Sequence, residues 1–427
     1  MQTTRRSFLK TSSLLAGIAV FPSPAFLRAQ DAGSKLNVAC VGITGQGGYS
    51  VNGVKGENIV ALCDVDTANL ERVGKQFASA ERFTDFREMF SKLDGKIDAV
   101  TVATPDHTHA VVSVTAMNRG IHCYTEKPLT HDISEVRKMI DVSKAKKVQT
   151  QMGTQIHATS NYRRVVEHIQ ANAIGTVTDI HVWCGKGWGG HPIPATTPPK
   201  PESLDWDLWL GPAAERPYNK CYVPGGWRSY WAFGNGTLGD MACHYMDLPF
   251  WALGLRHPTT VEATGPAVDK ESCPAGVSVK YQYPETDKHA ALTLSWYDGD
   301  YRPALLKEKE MPAWGAGVLF VGGDGMLLAD YNNLILFPEE KFKGFKRPEQ
   351  TIPPSPGHHN EWLNAIKNGG TTSCNFDYSG TLTEAVLLGT VAYRTGKKLN
   401  WDAAKVQTDD ATANTLLKVP QRKGWEF

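Results

Sequence analysis

The chain has little of what would mark a specialised class of protein. Its eight cysteines form no C-x-x-C pair, it carries no H-E-x-x-H motif, and it shows no internal repeat or low-complexity tract. With 41% hydrophobic and 21% charged residues, the composition gives no sign of disorder or of a membrane bundle. A chain of 427 residues is too long for one compact core, so we expect a globular protein of two domains.

Acidic residues are missing from the first 30 positions, which contain Arg5, Arg6, Lys10 and Arg28. This basic start precedes an apolar run, residues 14–21, and a small-residue region ending near Ala29. The order predicts a cleavable export signal over residues 1–30, because the run is well short of the ~20 apolar residues that a bilayer-spanning helix needs. The arginine pair resembles the twin-arginine signal, so we expect a periplasmic or otherwise exported protein. A disordered basic tail is the alternative.

The remaining chain has no excess of positive charge. Without the four basic residues of the first 30 positions, 41 basic side chains face 44 acidic ones, a formal charge of −3. We therefore expect no nucleic acid partner. We also expect no stable insertion into a membrane. The cysteines are scattered and several lie in apolar runs, so we expect few or no disulfides. Free thiols are typical of a protein that folds in a reducing compartment before export.

Short apolar runs alternate with amphipathic stretches in residues 34–157, the predicted first domain. This alternation is typical of an α/β fold with a doubly wound parallel sheet of the Rossmann type. The predicted strands are residues 37–41, 59–63, 99–103, 121–125 and 148–152, and the predicted helices are residues 68–77, 110–118 and 134–143.

Residues 158–427, the predicted second domain, have a different texture. A helix is predicted over residues 161–171, and Pro- and Gly-rich segments follow it. Strand-like alternation then appears in "VSVKYQYP" and "AALTLSWYDG". We expect an α+β domain with a large, mostly antiparallel open sheet.

Tryptophan is absent from the first 182 residues, and all 12 tryptophans lie between Trp183 and Trp425. Large flat rings suit the apolar C–H faces of sugars, so the distribution favours carbohydrate binding by the second domain. For any single tryptophan, a place in the core or in a subunit interface is the simpler interpretation.

A glycine-rich turn follows the first predicted strand. Its cofactor-binding candidates are Gly42, Thr44, Gly45, Gln46 and Gly47. The turn matches G-x-G-x-x-G imperfectly, because a threonine takes the second glycine position. Asp64 ends the second strand about 20 residues further on, where a carboxylate accepts hydrogen bonds from the adenosine ribose. That carboxylate would repel a 2′-phosphate, so the sequence favours NAD over NADP.

Two loops that follow later strands carry polar motifs, "ATPDHTHA" at residues 103–110 and "TEKPLT" at residues 125–130. Together with "GTLGDMACHYMD" at residues 236–247, they resemble the Gfo/Idh/MocA family of nicotinamide-dependent oxidoreductases, most of which act on sugars. The likeness covers nearly the whole chain after residue 34.

The resemblance implies roles for individual residues. Lys127 matches the family's catalytic lysine beside the nicotinamide, and Asp240 and His244 match its D-x-x-x-H pair, with His244 as proton donor and acceptor. Gln155, near the end of the predicted first domain, is also a predicted cofactor contact. Further implied cofactor contacts are Thr104, Pro105, His107, His109, Glu126 and Lys127.

Physical chemistry is consistent with these roles. Removing a hydride from a secondary alcohol requires loss of its hydroxyl proton, so a base must lie within hydrogen-bond reach of that oxygen. On a helix, Asp240 and His244 would share a face, and the carboxylate could orient the imidazole and stabilise its charged form. Lys127 could stabilise a developing alkoxide, and a cationic nicotinamide nearby would lower its pKa. Taken one at a time, Asp240 could instead be a helix cap, His244 a core histidine and Lys127 a surface residue.

A metal site built from Asp240, His244 and Asp247 is a further alternative, although we predict no metal. Candidates for substrate binding are drawn from the segment that would border the cleft and from loop-like stretches. Besides His244, they are Tyr162, Arg163, Trp188, Trp227, Arg228 and His359.

The sequence thus predicts an exported NAD(H)-dependent oxidoreductase acting on a sugar, glycoside or cyclitol hydroxyl, with a tightly bound, recycled cofactor. The alternatives are an NAD-dependent glycosidase that oxidises its substrate transiently, and a non-catalytic sugar or NAD sensor. The resemblance also implies a homodimer or homotetramer that pairs through the open sheet of the second domain.

Overall fold

The computed structural model describes residues 34–427, so the predicted export signal lies outside the described residues. The first domain is built on six parallel strands, β1 (Asn37–Val41), β2 (Asn58–Cys63), β3 (Glu81–Phe83), β4 (Ala99–Val102), β5 (His122–Thr125) and β6 (Thr150–Met152). The helices between them are α1 (Gln46–Val54), α2 (Thr67–Gly74), α3 (Phe86–Lys92), α4 (Asp106–Asn118) and α5 (Ile133–Lys146).

The strand order is β3-β2-β1-β4-β5-β6, and every pairing is parallel. The Rossmann-type sheet predicted from the sequence is therefore confirmed. The chain leaves β1 toward one edge of the sheet and β4 toward the other, which opens a crevice at the carboxyl ends of these two strands. The short β3 and α3 were not predicted.

The second domain contains the remaining nine strands, in the order β13-β12-β11-β7-β10-β9-β8-β14-β15. Only β7 and β10 pair in parallel, so the predicted mostly antiparallel sheet is confirmed. The strands are β7 (Val177–Cys184), β8 (Thr260–Thr264), β9 (Ser278–Tyr283), β10 (Leu292–Asp298), β11 (Ala316–Gly322), β12 (Met326–Ala329), β13 (Leu334–Phe337), β14 (Leu399–Asp402) and β15 (Gln407–Thr408).

The helices of the second part of the chain lie on this sheet and at the junction of the two domains. They are α6 (Ser160–Gln170), α7 (Trp206–Leu210), α8 (Gly236–Tyr245), α9 (Asp247–Leu253), α10 (Ala304–Glu308), α11 (His358–Asn368), α12 (Phe376–Thr395) and α13 (Ala411–Leu416). Short 3-10 turns lie at Gln155–Ala158 and Gly226–Ser229.

Two late helices join the domains. The largely buried α12 packs against α5 of the first domain and against α8 and β8 of the second. Helix α11 packs on α1, and its Trp362 is buried in the core of the parallel sheet, with the indole N–H donating to the Gln149 carbonyl oxygen at 3.1 Å. The first domain's core therefore includes chain beyond residue 157, which the predicted boundary omits.

The eight cysteines are all free thiols, and all except the half-buried Cys221 are buried. Within residues 34–427, no helix is both long enough and apolar enough to cross a bilayer.

Candidate active site

One large cavity, of about 960 Å³, lies between the carboxyl edge of the parallel sheet and the second domain. The glycine turn and Asp64 line it together with Lys127, Arg228 and Asp240. The crevice that the strand order opens is thus closed into a single chamber by the second domain. A ligand bound at Asp64 would share this chamber with the charged side chains of Lys127, Arg228 and Asp240.

The glycine turn has the shape that a bound dinucleotide requires. Gly42 has φ +73°, and a Cβ there would lie 2.6 Å from the Ala103 carbonyl oxygen, so no side chain fits. A Cβ at Gly47 would lie 2.0 Å from the Gly42 carbonyl oxygen, which allows α1 to pack closely on the strand. Gly45 has φ +57°, and no atom lies within 4 Å of where its Cβ would be. A phosphate could therefore approach the backbone at Gly45, at the start of α1.

Asp64 holds the turn and the loop after β2 together. Its carboxylate accepts hydrogen bonds from the backbone N–H of Ile43 at 3.2 Å and of Asp66 at 3.0 Å, and from Asn69 Nδ2 at 3.3 Å. Burial raises the pKa of the carboxyl above its usual value, and these hydrogen bonds oppose the rise. Asp64 lines the cavity where a ribose would lie beyond the glycine turn.

His109 joins the two polar loops of the first domain. Its ring nitrogens lie 2.8 Å from the Pro128 carbonyl oxygen and 2.8 Å from the Thr104 carbonyl oxygen. Burial lowers the pKa of this imidazole to about 4, so it is neutral at pH 7 and donates to only one of the two oxygens. Thr104, Pro105 and His109 line the cavity, as the resemblance implies.

His107 does not line the cavity. Its Nε2 lies 3.1 Å from the Trp209 carbonyl oxygen, and its ring packs against Trp209 and Phe233. The implied cofactor contact at His107 is thus corrected, because α4 turns this side chain toward the second domain.

Glu126 is buried at the centre of the predicted cofactor contacts. It accepts hydrogen bonds from Gln46 Nε2 and Ser50 Oγ, both at 3.2 Å, and from Gln155 Nε2 at 3.1 Å. Burial raises the pKa of its carboxyl to about 7, and the neighbouring Lys127 opposes the rise. Glu126 therefore ties α1 to the 3-10 turn Gln155–Ala158, and Gln155, which is not among the residues lining the cavity, is connected to the site through Glu126.

Lys127 and Asp240 form an ion pair with each side chain about nine-tenths buried. The Asp240 carboxylate also lies 3.0 Å from Arg228 Nε and accepts the indole N–H of Trp188 at 2.8 Å. Although burial opposes ionisation, Lys127 and Arg228 hold the pKa of Asp240 below its usual value. Asp240 stays ionised at neutral pH and fixes the position of the Lys127 ammonium in the cavity wall.

Asp240 and His244 lie one turn apart on α8, as predicted, but the expected carboxylate–imidazole contact is replaced by the one between Asp240 and Lys127. Burial, reinforced by Lys127, lowers the pKa of His244 to about 3. Asp240 favours the charged imidazole, as expected, but burial and Lys127 outweigh it. His244 is neutral, its buried Nδ1 has no partner among the described residues, and it is not among the residues that line the cavity.

The predicted substrate contacts divide into two groups. Trp227 and Arg228 line the cavity, and Trp188, whose side chain is bonded to Asp240, is 39% exposed beside it. Tyr162 is fully buried and donates its O–H to the His244 carbonyl oxygen at 3.1 Å, so it supports α8 from behind.

Arg163 and His359 also lie outside the cavity. Arg163 is buried between Glu361, at 3.1 Å, and the carbonyl oxygens of His157 and Pro353. His359 stacks on Tyr124 with ring centroids 4.4 Å apart, behind the parallel sheet. Tyr162, Arg163 and His359 are therefore corrected from substrate contacts to packing residues.

The alternative metal set is not assembled in the described part of the chain. The Asp247 carboxylate is buried in a separate cluster, where His157 Nδ1 lies 2.9 Å from Oδ2 and the Tyr378 O–H donates to Oδ1 at 2.7 Å. Asp240 is engaged with Lys127 and Arg228. Asp240 and Asp247 therefore serve different clusters.

Several residues of the cavity wall were not predicted. Asp106, the first residue of α4, is buried in the wall beside Lys127. Much of the opposite wall belongs to residues 201–227, here called the strap, and Trp425 adds to it from the chain terminus. Asp106 stands inside the quoted "ATPDHTHA" motif and could have been found there. The strap and Trp425 carry no local signal that they fold over a nucleotide site.

Two family profiles match the chain, one in each of its two parts. A family profile described as "Oxidoreductase family, NAD-binding Rossmann fold" matches residues 36–154, and one described as "Oxidoreductase family, C-terminal alpha/beta domain" matches residues 171–300. The chain belongs to the Gfo/Idh/MocA oxidoreductase family. The resemblance inferred from the motifs is thereby confirmed, and the first profile is consistent with NAD as the cofactor.

Among curated Gfo/Idh/MocA proteins, the chain is 24% identical over 180 residues to levoglucosan dehydrogenase of Pseudarthrobacter phenanthrenivorans, covering 42% of this chain. It is 28% identical over 129 residues to inositol 2-dehydrogenase 4 of Saccharopolyspora erythraea, covering 30% of this chain. Each match spans 38% of the relative's length.

Among solved structures, the WlbA dehydrogenase of Chromobacterium violaceum, in complex with NADH and UDP-GlcNAcA, is similar with a TM-score of 0.63 at 16% identity. That similarity covers 86% of this chain and 96% of WlbA, and it shows the shared Gfo/Idh/MocA fold.

Proposed function

We propose that the protein is an NAD(H)-dependent oxidoreductase that transfers a hydride to or from a secondary hydroxyl of a sugar, glycoside or cyclitol. The observation that carries the proposal is the single cavity that joins the glycine turn and Asp64 to Lys127 and Asp240. A nucleotide site and a buried ammonium–carboxylate pair in one chamber suit hydride transfer next to a polarised oxygen. The names of the sugar and inositol dehydrogenases that resemble this chain support the substrate class.

NAD, when bound, supplies the acceptor or donor of the hydride. The chain's own residues then have to handle a proton and a developing negative charge on the substrate oxygen. The Lys127 ammonium, held in place by Asp240, is a fixed positive charge for an alkoxide. His244 is neutral, and its partnerless Nδ1 is able to accept a proton.

A tightly bound cofactor that is regenerated in place is part of the proposal. The strap is attached directly to the loop that carries Asp64. The Thr67 N–H donates to the Ser203 carbonyl oxygen and the Asp205 N–H donates to the Val65 carbonyl oxygen, both at 2.9 Å. Because the strap lines the same cavity as the glycine turn, breaking these bonds would open the cavity around a bound dinucleotide. This favours slow release of the cofactor between turnovers.

Loosening the strap should speed the release of NAD. In Thr67→Pro the backbone donor is lost and the proline ring takes the place where the Ser203 carbonyl oxygen now lies. Proline is tolerated here, because Thr67 is the first residue of α2 and Asp66 before it is extended. We expect NAD to dissociate roughly tenfold faster, as the loss of one or two hydrogen bonds implies.

The measurement is the rate of NAD release after rapid dilution of the loaded protein. Thr67→Ala is the matched control, because it keeps the backbone N–H and loses only the hydroxyl contact to the same carbonyl oxygen at 3.2 Å. A wild-type release rate in Thr67→Pro would contradict the role of the strap.

Export by the twin-arginine route also belongs to the proposal and is supported by Arg5 and Arg6. Outside the inner membrane no pool of free dinucleotide is available, so a dinucleotide-dependent protein must carry its cofactor with it. Transport in the folded state would permit this, and free thiols are consistent with folding before transport. We further propose a homodimer or homotetramer paired through the open sheet of the second domain.

The test of the proposed function is to add candidate substrates to the purified protein and follow the absorbance of bound nicotinamide. Stable reduction by a sugar or cyclitol supports the oxidoreductase. Release of an aglycone without net reduction would identify the glycosidase. No response to any sugar, with NAD bound, would favour the sensor, against which the buried Lys127–Asp240 pair argues.

A further inference from the structure

Asp106 is a buried carboxylate for which the fold provides no partner. It is the first residue of α4, only 1% exposed, and it lines the cavity wall. Neither Oδ1 nor Oδ2 has a hydrogen-bond partner among the described residues. An unpartnered buried polar group costs several kcal/mol, so such a group in a cavity wall calls for an explanation.

The surroundings of Asp106 restrict what its partner can be. The charged side chains that act on its carboxyl are those of Arg228, Lys127 and Asp240. Burial raises the pKa of the Asp106 carboxyl to about 7, while the two cations oppose the rise and Asp240 adds to it. With both carboxyls ionised, the four side chains carry two positive and two negative charges. In that state the set has no net positive charge that would attract an anionic ligand.

A carboxylate offers only acceptors, two oxygens with about four lone-pair sites, so its partner must bring donors. A neutral ligand with two adjacent hydroxyl groups could meet both oxygens. We infer that Asp106 accepts hydrogen bonds from a pair of neighbouring hydroxyl groups on the ligand that fills this part of the cavity. The inference rests on the proposed function and makes Asp106 a specificity-determining residue for it.

Two sources could supply such a diol. One is the ring of a sugar or cyclitol substrate, and the other is the ribose that carries the nicotinamide. The position of Asp106 beside Lys127, Arg228 and Asp240, in the cavity that Asp64 also lines, is compatible with both.

The experiment measures two affinities by calorimetry for the wild type, Asp106→Asn and Asp106→Leu. One arm titrates NAD into protein freed of cofactor. The other titrates glucose, myo-inositol and monodeoxyglucoses into the NAD-loaded protein. Asp298→Asn is the matched control, because Asp298 is as deeply buried and its carboxyl pKa is also raised by burial to about 7, but its oxygens are bonded to Val277 and Trp296 away from the cavity.

If the diol belongs to the substrate, the Asp106 variants should bind the preferred sugar at least tenfold more weakly while binding NAD normally. One deoxy sugar should then bind the wild type more weakly than its parent sugar does. The same two sugars should bind Asp106→Leu with equal affinity. If the diol is the ribose, the loss should appear in the NAD arm.

Wild-type affinity for NAD and for the sugars in both Asp106 variants would overturn the inference. If no polyol binds even the wild type, the proposed substrate class fails and the NAD arm alone decides: a tenfold loss upholds the inference and an unchanged affinity overturns it. Melting temperatures of all variants show whether each is folded.

Discussion

Replacing Lys127 with methionine should lower the rate of hydride transfer about a thousandfold while NAD remains bound. Methionine is unbranched and one atom shorter than lysine, and it has no charge and no proton to give. In the structure the Lys127 ammonium is buried against Asp240 in the cavity wall, whereas Asp64 is bonded to Ile43, Asp66 and Asn69. The variant should therefore lose stabilisation of the alkoxide and keep the nucleotide contacts.

The measurement is single-turnover reduction of bound NAD after a substrate is added, together with the amount of NAD recovered on denaturation. Lys367→Met is the matched control, because Lys367 forms a partly buried ion pair with Glu57, at 2.6 Å, outside the cavity. We expect wild-type rates for Lys367→Met. A Lys127→Met protein that reduces its NAD at the wild-type rate would show that Lys127 has no catalytic role.

Replacing Asp240 with asparagine should cost both activity and stability. The substitution removes the negative charge shared by two buried or partly buried cations, Lys127 and Arg228. The two positive charges then repel each other. Breaking a buried ion pair by removing one partner costs about 3 kcal/mol or more in the free energy of unfolding. Lys127 would also no longer be fixed in position, so hydride transfer should fall at least a hundredfold.

The pH dependence of stability offers a second readout for Asp240. Its folded-state pKa is held below the unfolded value of about 3.9, so its contribution is fully present above that value. The contribution is lost as the pH falls through the folded-state pKa. We therefore expect the difference in unfolding free energy between wild type and Asp240→Asn to be constant from neutral pH to about pH 5 and to shrink in stronger acid.

A double variant separates the charge effect from loss of fold. In Lys127→Met with Asp240→Asn one cation is removed as well, so part of the lost stability should return, while activity should not. Equal unfolding free energies for Asp240→Asn and the wild type at pH 7 would show that the pair does not stabilise the folded state.

Much of the fold followed from local pattern. Strand β1 was predicted with its observed bounds, and β4 and β5 to within one residue, because these buried runs stand between clear helices and turns. Strand β3 was missed, because its three residues include two exposed ones and show no apolar run. Helix α11 lies in the predicted second domain, yet its Trp362 packs under the parallel sheet, and no local signal in the sequence records that contact.

For the candidate site, the sequence motifs pointed to several of the residues that line the cavity, but not to the contacts that these residues make with one another. Lys127 and Asp240 were both singled out, but their ion pair joins residues 113 positions apart and depends on how the domains meet. The low pKa of His244 was not predicted for the same reason, since burial and Lys127 lower it. Tyr162 and Arg163 follow the first domain directly, yet α6 turns both into the interior.

The sequence by itself determined the parallel sheet, the glycine turn, the acid that follows it and the family, because each depends on neighbours within a few residues or on a fixed spacing. Only the tertiary structure decided which side chains share the cavity, that Asp240 serves Lys127, that Asp106 is left unpartnered and that a distant strap closes over the nucleotide site. Those outcomes depend on burial and on contacts between remote segments, which exist only after the two domains have packed together.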